Sequence, residues 1–227
     1  MAFAPPFGRV FFPSFDRRNA GGAWWNAFGA IPAANCIAAY QPKGAADLAA
    51  SKINLANPGT YNAAAGSDPS FATATGWTFN GSSQYLVTGV KPTPTGTWSG
   101  FIQYTGLSGA TKTLWGMYES SATGTFLVQS SNTNMRSYNG AIADNATIMS
   151  SGNYGIAGKT PYRNGSAEAN TIGSGSTTVT IDIYIGALNY NGGPIQYAGI
   201  VCIALSIYNI ALTSAQVTNL YNAMNAL

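Results

Sequence analysis

Side chains that commonly do chemistry are sparse in this chain, and their spacing suits little of it. There is no histidine among the 227 residues, which removes Ser-His-Asp and Cys-His relays and any imidazole-bound zinc. Cys36 and Cys202 lack the close pairing of a thiolate metal site. Each stands in an apolar run, Asn35-Cys36-Ile37-Ala38-Ala39 and Ile200-Val201-Cys202-Ile203-Ala204, so two buried thiols are expected, with a disulfide left open. The seven carboxylates are Asp16, Asp47, Asp68, Glu119, Asp144, Glu168 and Asp182. Sugar hydrolysis needs two carboxyl groups held together, and none of these has another at i+2 or i+4. Gly173-Ser174-Gly175-Ser176 lacks the lysine and following helix of a phosphate-binding loop. No cofactor is implied. Calcium would need several oxygen ligands, and Asp47, Asp68, Asp144 and Asp182 qualify by residue type alone. On these grounds the chain is expected not to be an enzyme.

Contact chemistry is better represented. A sugar site needs an aromatic platform with amides beside it. Trp98, Trp115, Tyr118, Tyr138 and Tyr190, with Asn132, Asn134, Asn139 and Asn189, are the available set. Aromatic residues at alternating strand positions usually serve the core, which is expected of Trp98 and Trp115. Tyr190 and Asn189 lie in a polar Asn-Gly loop, and Tyr138 and Asn139 flank another such turn. These four are the candidate glycan contacts.

The elements that would carry them are strands. Charged residues make up 7% of the chain, against a usual quarter, while 27 glycines and 12% aromatics accompany a 46% hydrophobic content. Long surface helices need Glu and Lys on their wet faces, so the composition implies an all-β protein. Ten basic and seven acidic residues are spread thinly, with only Arg17-Arg18 adjacent among the basic ones. That leaves no electrostatic stripe for nucleic acid. No apolar run approaches the ~20 residues of a membrane helix, and the prolines at 5, 6 and 13 make the start a poor signal peptide.

Turn signals divide the rest. Cys36 to Gln41 is expected as a strand, and Asn57-Pro58-Gly59 as a turn. Trp77-Thr78-Phe79 meets Asn80-Gly81, and Gln84 to Val90 resumes the strand. Trp98 to Thr105 alternates as a half-buried strand does. Thr113 to Tyr118, Thr125 to Gln129 and Met135 to Tyr138 continue a meander that turns at Asn139-Gly140. Asn153 to Ala157 and Pro161 to Arg163 form a hairpin. Thr178 to Gly186 is expected as one long strand, with Ile181, Ile183 and Ile185 on one face. Ile195 to Tyr208 is expected to be central and covered on both faces. A capping box, Thr213 with Gln216, then opens a short helix whose apolar positions include Val217, Leu220 and Met224.

Residues 1–31 differ. They hold three prolines and the aromatics Phe3, Phe7, Phe11, Phe12, Phe15, Trp24, Trp25 and Phe28, with no period-2 alternation. Such a segment either wraps its own domain or docks on a neighbouring subunit; of the two, an extended apolar arm anchored on a neighbour is expected, through Phe3, Phe7, Phe11, Phe12, Phe15, Trp24 and Trp25. A single domain is expected over 32–227.

Trp77-Thr78-Phe79-Asn80-Gly81-Ser82-Ser83-Gln84-Tyr85-Leu86 resembles the strand–turn–strand of laminin-G-like, concanavalin A-like jelly rolls. Tyr162-Arg163-Asn164-Gly165, Ile183-Tyr184-Ile185-Gly186 and Tyr197-Ala198-Gly199-Ile200 stand where that family has later motifs, and Ile207 to Val217 is similar to its ending. The resemblance runs from about Cys36 to the C-terminus and implies a jelly-roll β-sandwich. The glucanases among such folds carry a Glu-x-Asp-x-Glu strand, which is absent here. Ala2-Phe3-Ala4-Pro5-Pro6-Phe7-Gly8-Arg9-Val10 resembles a subset found in bacteriophage and environmental viral proteins. That implies a non-enzymatic structural virion protein on the particle surface: a capsid decoration, head fibre or tail-associated protein. Its partners would be further copies of itself and other virion proteins, reached through the arm. A carbohydrate-binding, lectin-like module comes second and a polysaccharide hydrolase third. Neither nucleic acid nor membrane is expected as a partner.

Overall fold

The computed structural model describes residues 23–92 and 96–227, with the side chain of Ala146 set aside. Among these residues, strands dominate because β-branched and aromatic side chains alternate between Asn-Gly and Gly-rich turns. In chain order they are β1 Cys36–Tyr40, β2 Ala64–Ser67, β3 Ser70–Ala72, β4 Gly76–Thr78, β5 Tyr85–Val87, β6 Ser99–Thr105 and β7 Lys112–Tyr118. Then come β8 Thr125–Ser131, β9 Asn134–Asn139, β10 Ile142–Thr147, β11 Gly152–Ala157, β12 Thr160–Arg163 and β13 Ser166–Ala167. The last are β14 Tyr184–Ile185, β15 Leu188–Tyr190, β16 Gly193–Ile195 and β17 Val201–Tyr208. Two α-helices accompany them, α1 Leu48–Ser51 and α2 Ser214–Asn225.

These strands form two sheets. One has the order β13-β12-β11-β6-β17-β4-β3, with β1 also on β17. The other runs β10-β9-β8-β7-β14-β5-β2, with the β15–β16 hairpin against β7. Inward side chains of both sheets merge in one core, with Trp77, Ile102, Tyr104, Tyr154 and Leu205 from the first and Leu86, Trp115, Phe126, Val128 and Met135 from the second. Gly100 allows the close approach: a Cβ there would stand 2.7 Å from the Trp115 ring of the facing sheet. The protein is an all-β sandwich with one short C-terminal helix, as its composition implies.

The strand–turn–strand at Trp77–Leu86 bridges the layers, since β4 lies in the first sheet and β5 in the second. Asn80 makes that crossing by accepting the main-chain N–H groups of Ser82, Ser83 and Gln84 at its Oδ1. The capping box forms as expected: Thr213 Oγ1 accepts from the Gln216 main chain, and Gln216 Oε1 accepts from the Thr213 N–H at 2.9 Å. Helix α2 then lays Val217, Leu220 and Met224 on the outer face of the first sheet. Beneath it Phe101 and Tyr208 are buried, so β6 is covered on both faces and is not half-buried. Trp98 and Trp115 are core residues.

Two further expectations need correction. Thr178 to Gly186 is not one strand. Only Tyr184–Ile185 joins a ladder, because the main chain before it is claimed elsewhere: the Glu119 carboxylate takes Thr180, and the Ile183 N–H donates to Val90 O. Trp24, expected in the anchoring arm, packs within this chain. Trp24 and Ile31 are buried in the layer between α2 and the first sheet, and the Trp25 carbonyl accepts from the Tyr208 hydroxyl at 2.7 Å. Phe3, Phe7, Phe11, Phe12 and Phe15 lie outside the described residues.

Candidate functional site

The sheet register decides which side chains share the outer face of the second sheet. Paired positions Gly116↔Leu127, Leu127↔Tyr138 and Gln129↔Arg136 lie on that face, while Met117↔Phe126 and Val128↔Ser137 point into the core. Ile142↔Tyr138 and Asp144↔Arg136 extend the outer row across β10. On the other flank β15 runs parallel to β7 with Tyr190 beside Tyr118. The result is a groove of about 310 Å3, lined chiefly by Tyr118, Tyr190, Leu127, Gln129, Arg136 and Tyr138. That volume is at the small end for ligand sites.

One wall is an aromatic stack. The rings of Tyr118 and Tyr190 lie 5.0 Å apart at an interplanar angle of 14°, an offset-stacked pair that fixes both planes. Tyr190 remains 45% exposed, so one ring face is open to solvent. Tyr138, half-buried on β9, stands on the opposite wall. The floor is Leu127 with Gln129 and Ser131, all outward on β8 and yet nearly buried, because the flanking walls shield them. Gly116 makes room for this floor. A Cβ at that position would fall 2.1 Å from Leu127 Cβ, and its φ of +148° disfavours a side chain.

The polar groups are arranged by a few specific bonds. The Thr113 hydroxyl reaches Gln129 Oε1 at 3.3 Å and Gln196 Oε1 at 3.0 Å, and Gln196 O accepts the Thr113 N–H at 2.8 Å. Both glutamines are therefore held while offering amide groups at the groove. Arg136 donates from Nε to Asp144 Oδ1 at 2.5 Å and from Nη2 to Oδ2 at 2.8 Å. This fork raises the arginine further and lowers the carboxyl below its usual range.

Of the four candidate contacts, Tyr190 and Tyr138 meet across this groove. Asn189 and Asn139 do not join them. Asn189 donates to Asp182 O at 2.8 Å and accepts from the Gly192 N–H at 2.9 Å, closing its hairpin. Asn139 faces the core, donating to Trp98 O at 3.0 Å and Gly158 O at 2.6 Å. Tyr118 comes from the wider aromatic set, while Gln129, Gln196 and Arg136 are groove residues that the sequence does not single out. The calcium candidates are dispersed. Asp47 caps α1, Asp68 pairs with Lys52 at 2.9 Å, Asp144 with Arg136, and Asp182 faces Lys91 at 3.8 Å. Among the described residues no three acidic or thiol side chains converge as a metal site would require.

A larger hollow, about 1070 Å3, opens around Trp25, Phe28, Leu55 and the end of α2. Its lining is mainly Ala, Trp, Leu and Phe with a few amides, whereas the smaller groove combines an open ring face with anchored polar groups.

An all-β sandwich with an aromatic-walled groove on one outer face defines the class of molecule. No family model matches this chain, and no curated protein does. Solved structures do. The sandwich is similar to part of the Trypanosoma rangeli sialidase in complex with 2,3-difluoro-KDN, with a TM-score of 0.58, 15% identity, and 86% of this chain on 33% of that one. The same sialidase as a covalent intermediate with 2,3-difluorosialic acid gives a TM-score of 0.55 at 17% identity, covering 86% and 34%. A mutant of it displaying trans-sialidase activity gives 0.55 at 16% identity, again covering 86% and 34%. The chain thus spans about a third of the length of the sialidases it matches. This likeness concerns the fold. It overturns the expectation of a structural virion protein, and with it the exclusion from enzymes, since the sandwich recurs within glycoside-processing proteins. Nothing in these neighbours supports the capsid or bacteriophage reading.

Proposed function

We propose that this chain is a carbohydrate-binding sandwich, of the sort that forms one part of larger sialidase-like proteins, and that it holds sugar in the groove between Tyr190 and Tyr138. One observation carries the reading: an exposed tyrosine face, fixed by stacking on Tyr118, opens over a floor of anchored amides. A pyranose has apolar C–H faces and polar hydroxyl edges. The ring face suits the first, and the amides and hydroxyls suit the second. The strand–turn–strand at Trp77–Leu86 and the Ile207–Val217 ending further support the laminin-G-like, concanavalin A-like type of sandwich.

The test is a broad glycan array with the full chain, followed by titration of the best ligand. Replacing Tyr190 by Ala removes the open ring face and should weaken binding about tenfold, equivalent to ~1.4 kcal/mol. Circular dichroism should show the fold unchanged, since Tyr190 is 45% exposed. Absence of any reproducible ligand, or affinity indifferent to Tyr190→Ala and Tyr138→Ala together, would refute the assignment.

A further inference from the structure

We infer that the groove selects uncharged sugars and turns away carboxylate-bearing ones. The inference rests on the glycan reading above and adds the class of sugar. Arg136 is the sole charged side chain among the groove's lining residues. It is already committed. Its Nε and Nη2 hold both oxygens of Asp144, at 2.5 and 2.8 Å, in the fork geometry that matches a carboxylate. The pair is set by the backbone, because Arg136 and Asp144 are directly opposed in the β9–β10 register.

The groove therefore presents a neutral ion pair in place of a free cation. A sugar carboxylate entering beside Arg136 would meet a second carboxylate within a few ångströms, which is repulsive unless a further cation arrives. Among the other lining residues the polar groups are Thr111, Gln129, Ser131, Gln196 and the tyrosine hydroxyls, all uncharged. Amides and hydroxyls both donate and accept, as sugar hydroxyls do. Arg136 keeps N–H donors beyond the two that Asp144 uses, and these suit hydroxyl oxygens as acceptors. The preference differs from the acidic sugars found on the Trypanosoma rangeli sialidase.

Two measurements decide it. In the first, the wild-type chain is titrated with neutral oligosaccharides and with sialyl- and glucuronyl-oligosaccharides at 20 and 500 mM NaCl. The neutral ligand should bind at least tenfold more tightly than either acidic one. Its affinity should change less than twofold with salt, because no net charge is neutralised on binding. In the second, Asp144→Asn frees the guanidinium, and binding of the acidic oligosaccharides should rise at least fivefold and become salt-sensitive. Acidic sugars bound more tightly than neutral ones by the wild type, with that binding lost in Tyr190→Ala, would overturn the inference and leave the glycan reading standing. Failure of every sugar to bind would instead remove the glycan reading itself. If Asp144→Asn does not fold, the salt dependence of the wild type still decides the matter: a steep fall in affinity with salt refutes the neutral groove.

Discussion

Tyr190 shows one ring face to solvent because Tyr118 occupies the other. The two tyrosines are far apart in sequence, and only the parallel pairing of β15 with β7 places them side by side. The same dependence on register explains which contact residues can be read from the chain. Tyr190 and Tyr138 are legible because each sits next to an Asn-Gly turn. Their asparagine neighbours mislead for the same reason, since an amide in a tight turn is consumed by nearby backbone. Asn189 does that here, whereas Asn139 turns inward and is consumed by the remote carbonyls of Trp98 and Gly158. Gln129, Arg136 and Gln196 carry no local signal. Gly116 offers a sharp test at this scale. Gly116→Ala would drive a methyl into Leu127 Cβ and Cα, at 2.1 and 2.5 Å, with an unfavourable φ in addition. Destabilisation of about 2 kcal/mol or more is expected in urea unfolding, together with weaker sugar binding as the floor shifts. Stability within about 0.5 kcal/mol of wild type, the range of a neutral surface change, would contradict this packing.

At the scale of elements, α2 shows how a local signal and a tertiary need coincide. Thr213 and Gln216 cap the helix reciprocally, and Gln216 Nε2 also donates to Ala30 O at 3.1 Å. Thr213→Ala should therefore cost about 1 kcal/mol, measured as a lower urea midpoint with an unchanged slope. Leu220 is fully buried between α2 and the first sheet, and Leu220→Ala should cost about 2–5 kcal/mol. A smaller loss at Leu220 than at Thr213 would show that the helix is only loosely docked. The capping box makes α2 readable, and Asn-Gly turns do the same for the β4–β5 crossing and the β9–β10 hairpin. Alternation alone misleads at Thr178 to Gly186. Ile183 and Ile185 are buried as a strand face would be, but Glu119 and Val90 take hydrogen bonds that a ladder would have used. Burial pattern reports which side faces the core, and it does not report the partner of each N–H.

For the whole molecule, the absence of histidine and the scarcity of carboxylates shape the response to pH. Asp144, lowered by Arg136, contributes stability that is present above the ordinary carboxyl range and lost as pH falls through its folded value. Between about pH 5.5 and 8 no side chain of ordinary pKa changes charge, so stability there should be flat. The alkaline side differs. Cys36 and Cys202 are free and buried. They cannot pair: Cys36 lies opposite Tyr208, six residues along β17 from Cys202, or roughly 20 Å at the rise of a strand. Burial pushes the Cys36 thiol from 9.0 up to about 12 and raises Cys202 too. Burial likewise takes Tyr154 from 10.0 to about 12 and raises Tyr40, Tyr104 and Tyr208. Such groups ionise in the unfolded chain before they do so in the folded one. Their contribution is thus complete below pH 9 and declines as pH climbs toward 12, by about 1.4 kcal/mol per pH unit for each group charged only when unfolded. The thiols start the decline near pH 9 and the tyrosines steepen it near 10. Urea unfolding at pH 7, 8, 9, 10 and 10.5 should show a plateau followed by this accelerating loss. The Cys36→Ala, Cys202→Ala double variant should be less stable at neutral pH but show a shallower fall between 9 and 10. Equal slopes in the two proteins over that interval would mean the thiols are not held protonated by the sandwich.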